Sequence, residues 1–235
     1  MRKVFELCSF RFIMKLAVLF SGGKDSSLAA WIAKKEGHEL GCLVSIVSKN
    51  VESYMFHIPS IDKVKIQAEV MGVPLILRDS EGVKELELED LEAAILEARD
   101  KFGVEGVVTG AVGSVYQASR VKSICDKLGL KSVNPLWQMD QIELLRELVK
   151  EKFKVIIVGV AAYPLDESFL GREIDDEYIN ETIKLREKFE INPAGEGGEF
   201  ESFVLDCPLF ERGLRVMGFE DFGEKNSWRR ELEVE

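Results

Sequence analysis

One stretch constrains this chain more than any other: Leu16, Ala17, Val18, Leu19 and Phe20, followed directly by Ser21, Gly22, Gly23, Lys24, Asp25, Ser26 and Ser27. Five consecutive apolar residues suit a short strand buried on both faces of a parallel sheet. The small residues after it suit a tight turn, and residues 28–36 carry a helical pattern that Gly37 stops. Strand, glycine turn and helix together aim free backbone N–H groups at an anion such as phosphate. Gly22 and Gly23 let the backbone approach it with no Cβ in the way. Lys24 adds a cation, and the hydroxyls of Ser26 and Ser27 stand at a helix N-terminus, where the dipole favours negative charge. A plain glycine turn capped by Asp25 or Ser26 is the simpler alternative, but it does not explain why strand, lysine and serines coincide. The spacing is not that of a Walker A loop, which needs four residues between its first glycine and a Gly-Lys pair.

The chain has 235 residues and a net charge of −11. Its length holds one large domain or two modest ones with ample core. The acidic balance argues against a broad electrostatic grip on nucleic acid and fits a small-molecule substrate or a protein partner. Cys8, Cys42, Cys125 and Cys207 are scattered without a Cys-x-x-Cys pair, and with two histidines no zinc constellation is visible. Cys42 and Cys125 lie in apolar patterns and read as small core residues. Such cysteine usage suits a reducing compartment, and a cytoplasmic location is expected. No apolar run reaches membrane-spanning length, so no membrane partner is expected. Residues 1–13 are basic and partly apolar, but too broken for a secretory segment. Met14 is expected as the natural start, with 1–13 an upstream extension.

In chain order, residues 38–47 read as a second strand and 61–71 as a helix stopped by Gly72. Residues 73–77 read as a third strand with Pro74 near its start, 84–102 as a charged amphipathic helix, and 106–110 as a fourth strand. The intervening loop 50–59 carries Tyr54, Met55, Phe56 and His57; it reads either as a cover over a ligand or as a loop folded on its own small core. Strand–helix alternation predicts an α/β fold, a doubly wound parallel sheet with ligands at the carboxyl ends of its strands. Ser21 and Thr109 both lie at such ends. From Gly110 to Arg120, small residues at a strand exit lead into a helix carrying Ser114, Gln117 and Arg120. Arg120 supplies a second, bidentate cation for phosphate charge; a tight junction with an exposed arginine is the plain alternative.

Residues 129–137 have the turn chemistry of a linker, which places a domain boundary between 14–130 and 131–235. A helix over 140–152 with Asp140 as N-cap follows, then a strand over 153–160 and an irregular stretch over 161–175. A second helix covers 175–189. Strands at 202–206, 214–218 and 228–234 read as a small antiparallel meander. Before them, Gly195, Glu196, Gly197, Gly198, Glu199, Phe200 and Glu201 make a second glycine-rich loop, this one acidic. A solvated surface loop is its simplest reading.

Ser21-Gly-Gly-Lys-Asp-Ser26 resembles the PP-loop of ATP pyrophosphatases, which cleave ATP between the α and β phosphates. The chain as a whole resembles the archaeal and eukaryotic diphthine–ammonia ligases over about residues 14–210. That likeness rests on this loop, Gly110 through Arg120, Leu128-Gly-Leu-Lys131, Pro135-Leu-Trp137 and Glu196-Gly-Gly-Glu-Phe-Glu201. It implies an adenine-nucleotide α-hydrolase-like, Rossmann-like ATP domain over 14–130 and a smaller substrate-binding α+β domain over 131–235. It implies ATP and Mg²⁺ as cofactors, and diphthine-bearing elongation factor 2 and ammonia as partners. Nucleic acid is not expected, and a homodimer is left open. The implied reaction activates the diphthine carboxylate as an acyl-adenylate, releases pyrophosphate, and lets ammonia displace AMP.

The resemblance gives ATP contacts to Ser21, Gly22, Gly23, Lys24, Asp25, Ser26, Ser27, Ser45, Thr109, Gly110, Ser114 and Arg120, with Ser45 and Ser48 beside the adenine. Lys24, Asp25, Glu196 and Glu199 become catalytic candidates. Asp25 is the candidate Mg²⁺ ligand, a capping role being the alternative. Residues 196–201 become the acceptor site, where acidic charge draws ammonium and the trimethylammonium of diphthine, and Phe200 offers a cation–π face. Three other readings share parts of this pattern: an RNA-modifying PP-loop enzyme such as a transfer-RNA thiolase, a small-molecule amide ligase acting on something like a cobalamin precursor, and a nucleotide sensor without turnover. The first needs sulfur-carrying cysteines and a basic surface, neither of which is evident; the lysine and the acidic loop weigh against the last.

Overall fold

The computed structural model describes residues 12–48, 61–81 and 86–235. Most of the expected extension, the loop with Tyr54, Met55, Phe56 and His57, the side chain of Ser48 and the expected helix start at Lys84 lie outside them. Strands β1 (Lys15–Leu19), β2 (Glu39–Ser48), β3 (Leu75–Ser80), β4 (Gly106–Val108) and β5 (Lys131–Val133) form a sheet in the order β3-β2-β1-β4-β5, with every pairing parallel. The crossovers carry helices α1 (Lys24–Lys35), α2 (Ile61–Met71), α3 (Leu86–Phe102) and α4 (Val115–Leu128). This is the doubly wound α/β sheet the alternation predicts. The strand order reverses between β1 and β4, and the crevice at such a reversal is where these sheets bind ligands.

Each element follows from its local chemistry. Leu16, Ala17 and Val18 are fully buried, with Ala17 in the core on one face of the sheet and Leu16 and Val18 in the core on the other. A strand covered on both sides has no polar alternation, hence the continuous apolar run. Ser114 caps α4 by accepting from the Gln117 amide, and Gly129 closes it at φ +71°. Cys42 and Cys125 are core residues, as expected, and burial pushes their thiols up to about 12 and about 11.

The second half supplies α5 (Gln141–Lys150), β6 (Lys154–Val160), α6 (Asp176–Phe189), β7 (Phe200–Asp206), β8 (Val216–Glu224) and β9 (Ser227–Val234). Asp140 caps α5, accepting from the Ile142 and Glu143 amides, and its stripe of Ile142, Leu144, Leu145 and Leu148 is buried. The four strands make an antiparallel sheet in the order β7-β6-β9-β8. One core joins Leu28, Ala29 and Ala30 of α1 to Leu145, Val155, Ile157 and Val204, so α1 lies between the two sheets. Among the described residues no helix is long and apolar enough to cross a membrane.

Three expectations are corrected. Helix α1 begins at Lys24 rather than at residue 28, because Gly23 is its N-cap and the polar Lys24 to Ser27 form its first turn, where unsatisfied N–H groups tolerate them. The stretch expected as a linker contains β5, a three-residue edge strand whose Lys131 and Ser132 are exposed and leave no apolar signature. The three C-terminal strands are not a meander. β7 pairs with β6, while β8 and β9 form a hairpin that joins the sheet through β9. Pairing order is decided by packing across the whole chain and leaves no local pattern.

Candidate active site

The turn after β1 is closed by its own hydroxyls. Ser26 Oγ donates to the Gly23 carbonyl at 3.2 Å, receives the Ser21 amide at 3.3 Å and lies 3.2 Å from Ser21 Oγ. Gly22 takes φ of +79°, a conformation that glycine adopts at little cost. Ser27 Oγ is buried without a hydrogen-bond partner. From the other side of the crevice, Thr109 Oγ1 accepts from the Ala111 amide at 3.0 Å, and Gly110 presses against the start of α1. A Cβ on Gly110 would stand 2.7 Å from the Asp25 carbonyl carbon and 2.8 Å from the Ser26 amide. Backbone cannot yield as a flexible side chain can. Gly110→Ala is therefore expected to cost about 1–3 kcal/mol of stability and, by displacing the first turn of α1, to weaken ATP binding roughly tenfold. Melting curves and calorimetric titration with ATP check both effects; an unchanged ATP affinity would separate Gly110 from any nucleotide binding at this turn.

Strand β7 braces the same turn from the second sheet. The Lys24 amide donates to Ser202 Oγ at 3.2 Å, the Val204 amide donates to the Gly22 carbonyl at 3.1 Å, and Gln67 Nε2 of α2 donates to that carbonyl at 3.0 Å. Sequence reasoning did not single out Gln67, Ser202 or Val204. For Gln67 a signal existed, since a glutamine between Val64, Ala68 and Met71 is a polar residue on a buried helix face.

The pairing of β7 with β6 brings the acidic loop to Lys24. Lys24 is 3% exposed; its Nζ lies 2.7 Å from Asp25 Oδ2, 4.0 Å from Glu196 Oε1 and 5.3 Å from the centre of the Phe200 ring. Phe200 is buried edge-on against Tyr178 at 6.0 Å. Its expected cation–π partner was a substrate trimethylammonium; the cation the structure places there is Lys24, because Phe200 opens β7 and turns into the core. Glu196 stands on the surface by its backbone, yet its side chain is 21% exposed. Burial, the nearby Asp25 charge and, to a lesser degree, Glu199 push its carboxyl up to about 7, against the opposing pull of Lys24.

The other sequence candidates divide. Glu199 accepts from the Asn192 amide at 3.0 Å and the Gly197 amide at 2.8 Å, so both its oxygens hold the loop in shape. A Cβ on Gly197 would meet that carboxylate at 2.7 Å. Glu201 leaves the cluster: strand alternation sends it opposite Gly159, on the face of Phe203 and Leu205. Ser45 Oγ donates to the Phe20 carbonyl at 2.5 Å, and the Ser114 hydroxyl serves as the α4 cap. Arg120 stacks its guanidinium 3.4 Å over the Tyr116 ring and keeps a buried Nε without a hydrogen-bond acceptor.

For a metal, no group of three or more His, Cys, Asp or Glu side chains is gathered among the described residues. Asp25 Oδ1, however, is buried and without a partner at the mouth of the anion turn. That suits a Mg²⁺ carried in by phosphate, which takes one or two carboxylates and fills its remaining positions with phosphate oxygens and water.

Comparison with known proteins covers both halves of the chain. Family models described as the diphthamide synthase N-terminal domain and the diphthamide synthase C-terminal domain match residues 14–132 and 140–232. The chain is 35% identical over 224 residues to a protein of Mus musculus named diphthine–ammonia ligase, covering 86% of this chain and 83% of that one. It is 34% identical over 223 residues to a Danio rerio protein of the same name, covering 86% of each. Among solved structures, a predicted subunit of a tRNA methyltransferase from Methanocaldococcus jannaschii aligns with a TM-score of 0.42 and 20% identity, over 83% of this chain and 98% of that one.

Proposed function

The chain belongs to the diphthamide synthase family and is an ATP-dependent amide ligase of diphthamide biosynthesis, and on that premise we propose that it amidates the carboxylate of diphthine on elongation factor 2 through an acyl-adenylate. The observation that carries this reading is the meeting of two loops at Lys24: the anion turn at residues 21–27 and the acidic loop at 196–199, joined by the 4.0 Å approach of Lys24 Nζ to Glu196 Oε1.

A free carboxylate is a poor acyl donor, so it must be activated before an amide can form. A carboxylate oxygen of diphthine attacks the α-phosphorus of ATP, the bond from that phosphorus to the bridging oxygen breaks, and pyrophosphate departs. The loop amides and Lys24 stabilise the charge that builds on the leaving group. Asp25 would hold the Mg²⁺ that accompanies ATP, an ion that supplies charge neutralisation at the phosphates. Ammonia then attacks the acyl carbon and AMP leaves. Glu196, with a carboxyl near neutrality, is matched to taking the proton that the new amide nitrogen sheds. Glu199 shapes the loop that positions Glu196.

The test incubates the purified chain with diphthine-bearing elongation factor 2, ATP and ammonium. The factor is expected to lose about one mass unit as hydroxyl is exchanged for amine, with AMP and pyrophosphate formed in step and glutamine unable to replace ammonium. ADP and phosphate as the main products would overturn the acyl-adenylate; an unchanged factor would overturn the acceptor.

A further inference from the structure

Gln67 lies on the face of α2 that buries Val64, Ala68 and Met71, and it is 0% exposed. A polar side chain there costs free energy unless its groups are paired. Its Nε2 donates twice, to the Gly22 carbonyl at 3.0 Å and to the Val204 carbonyl at 2.8 Å, and two carbonyl acceptors fix which end of the amide is the nitrogen. Its Oε1 is buried and accepts from no described group. A methionine would fill the same space without that orphan, so what the amide contributes is the two donated bonds. The Gly22 carbonyl also receives the Val204 amide at 3.1 Å. One carbonyl of the anion turn is thus held from outside by both α2 and β7.

A trans peptide unit points its C=O and the following N–H in opposite directions. Holding the Gly22 carbonyl toward α2 and β7 therefore aims the Gly23 N–H the other way, into the turn. There its contact is a long one, 3.4 Å to Ser21 Oγ. Gly23 is the N-cap of α1, so this donor stands at the positive end of the helix dipole. We propose that Gln67 is a positioning residue for ATP, locking the Gly22–Gly23 peptide so that the Gly23 N–H faces the pyrophosphate portion of the nucleotide. This rests on the reading of the turn as an ATP-phosphate loop.

The full chain is titrated calorimetrically with ATP and with inorganic pyrophosphate, as wild type, Gln67→Met and Gln67→Glu, with melting curves for each. Gln67→Met, similar in size but without donors, is expected to weaken both ligands about tenfold or more while still melting cooperatively. In Gln67→Glu the ionised carboxylate would face two carbonyls, whereas the protonated acid can donate to one of them. Its affinity relative to wild type is therefore expected to recover as pH falls from 9 to 6, a trend that loss of packing alone does not produce. Wild type binding both ligands and Gln67→Met binding them equally well overturns the inference alone. If Gln67→Met does not fold, the Gln67→Glu ratio decides: recovery on acidification supports the inference and a flat ratio overturns it. Wild type binding neither ligand overturns the phosphate-loop reading, and this inference with it.

Discussion

Lys24→Ala is expected to lower the rate of amide formation by roughly a hundredfold to a thousandfold, the scale set by removing one preorganised group that meets charge developing on a leaving group. The ammonium is 3% exposed and is held by Asp25 at 2.7 Å and by the Phe200 ring, so it is fixed before ATP arrives and needs no reorganisation as charge moves. Its loss also removes the pull of Lys24 that opposes burial and the Asp25 charge at Glu196, so the Glu196 carboxyl rises further and holds its proton beside Asp25. Lys24→Arg keeps the charge but brings a wider, planar head group into a space bounded by the Phe200 ring, and is expected to recover only part of the rate. Single-turnover formation of pyrophosphate separates the chemical step from binding. A variant that releases pyrophosphate at the wild-type rate would assign Lys24 to structure alone.

Glu196→Gln is expected to keep ATP affinity within about twofold and to lower amidation by roughly a hundredfold or more, the span of a lost general base. Two measurements part the roles: ATP affinity, and transfer of nitrogen from ammonium at several pH values. Loss of ATP binding instead would make Glu196 part of the nucleotide site, and normal amidation would remove it from the chemistry. The same substitution has a thermodynamic signature. The folded chain holds the Glu196 proton up to about pH 7, whereas an unfolded glutamate releases it near its ordinary value of 4.5. Between those limits the folded state binds more protons, so this group's contribution to stability is fully present at low pH and is lost as pH rises through 7. Gln carries no such proton, and the melting temperature of the variant is expected to fall less than that of wild type between pH 5 and pH 8. Parallel melting curves for the two proteins would mean that the buried carboxyl is not shifted.

Glu199 illustrates why neighbouring residues of one motif differ. It is the same residue type as Glu196 and lies three residues away, yet its oxygens are taken by the Asn192 and Gly197 amides. Its substitution by glutamine would turn an amide N–H₂ toward a backbone donor and loosen the loop, an effect on shape before chemistry.

The sequence by itself determined what depends on neighbours a few residues apart. β1 is legible because burial on both faces leaves an unbroken apolar run, the tight turn after it because adjacent glycines between strand and helix give the backbone the freedom such a turn needs, and α5 because Asp140 caps a regular stripe. The parallel sheet follows from alternation, and with it the carboxyl-edge position of Ser21 and Thr109. Tertiary structure alone decided how residues nearly two hundred positions apart meet. The pairing of β7 with β6 sets Ser202 and Val204 against the turn at Gly22 and Lys24, and it carries Glu196 to the lysine. It also divides a motif that looks continuous on paper: a strand alternates its side chains, so Phe200 and Glu201 face opposite sides, one behind Lys24 and the other away from it. The orientation of the Gly23 N–H is likewise out of reach of spacing, because it is set by a glutamine on a different helix whose amide is bonded across 45 and 137 residues of chain.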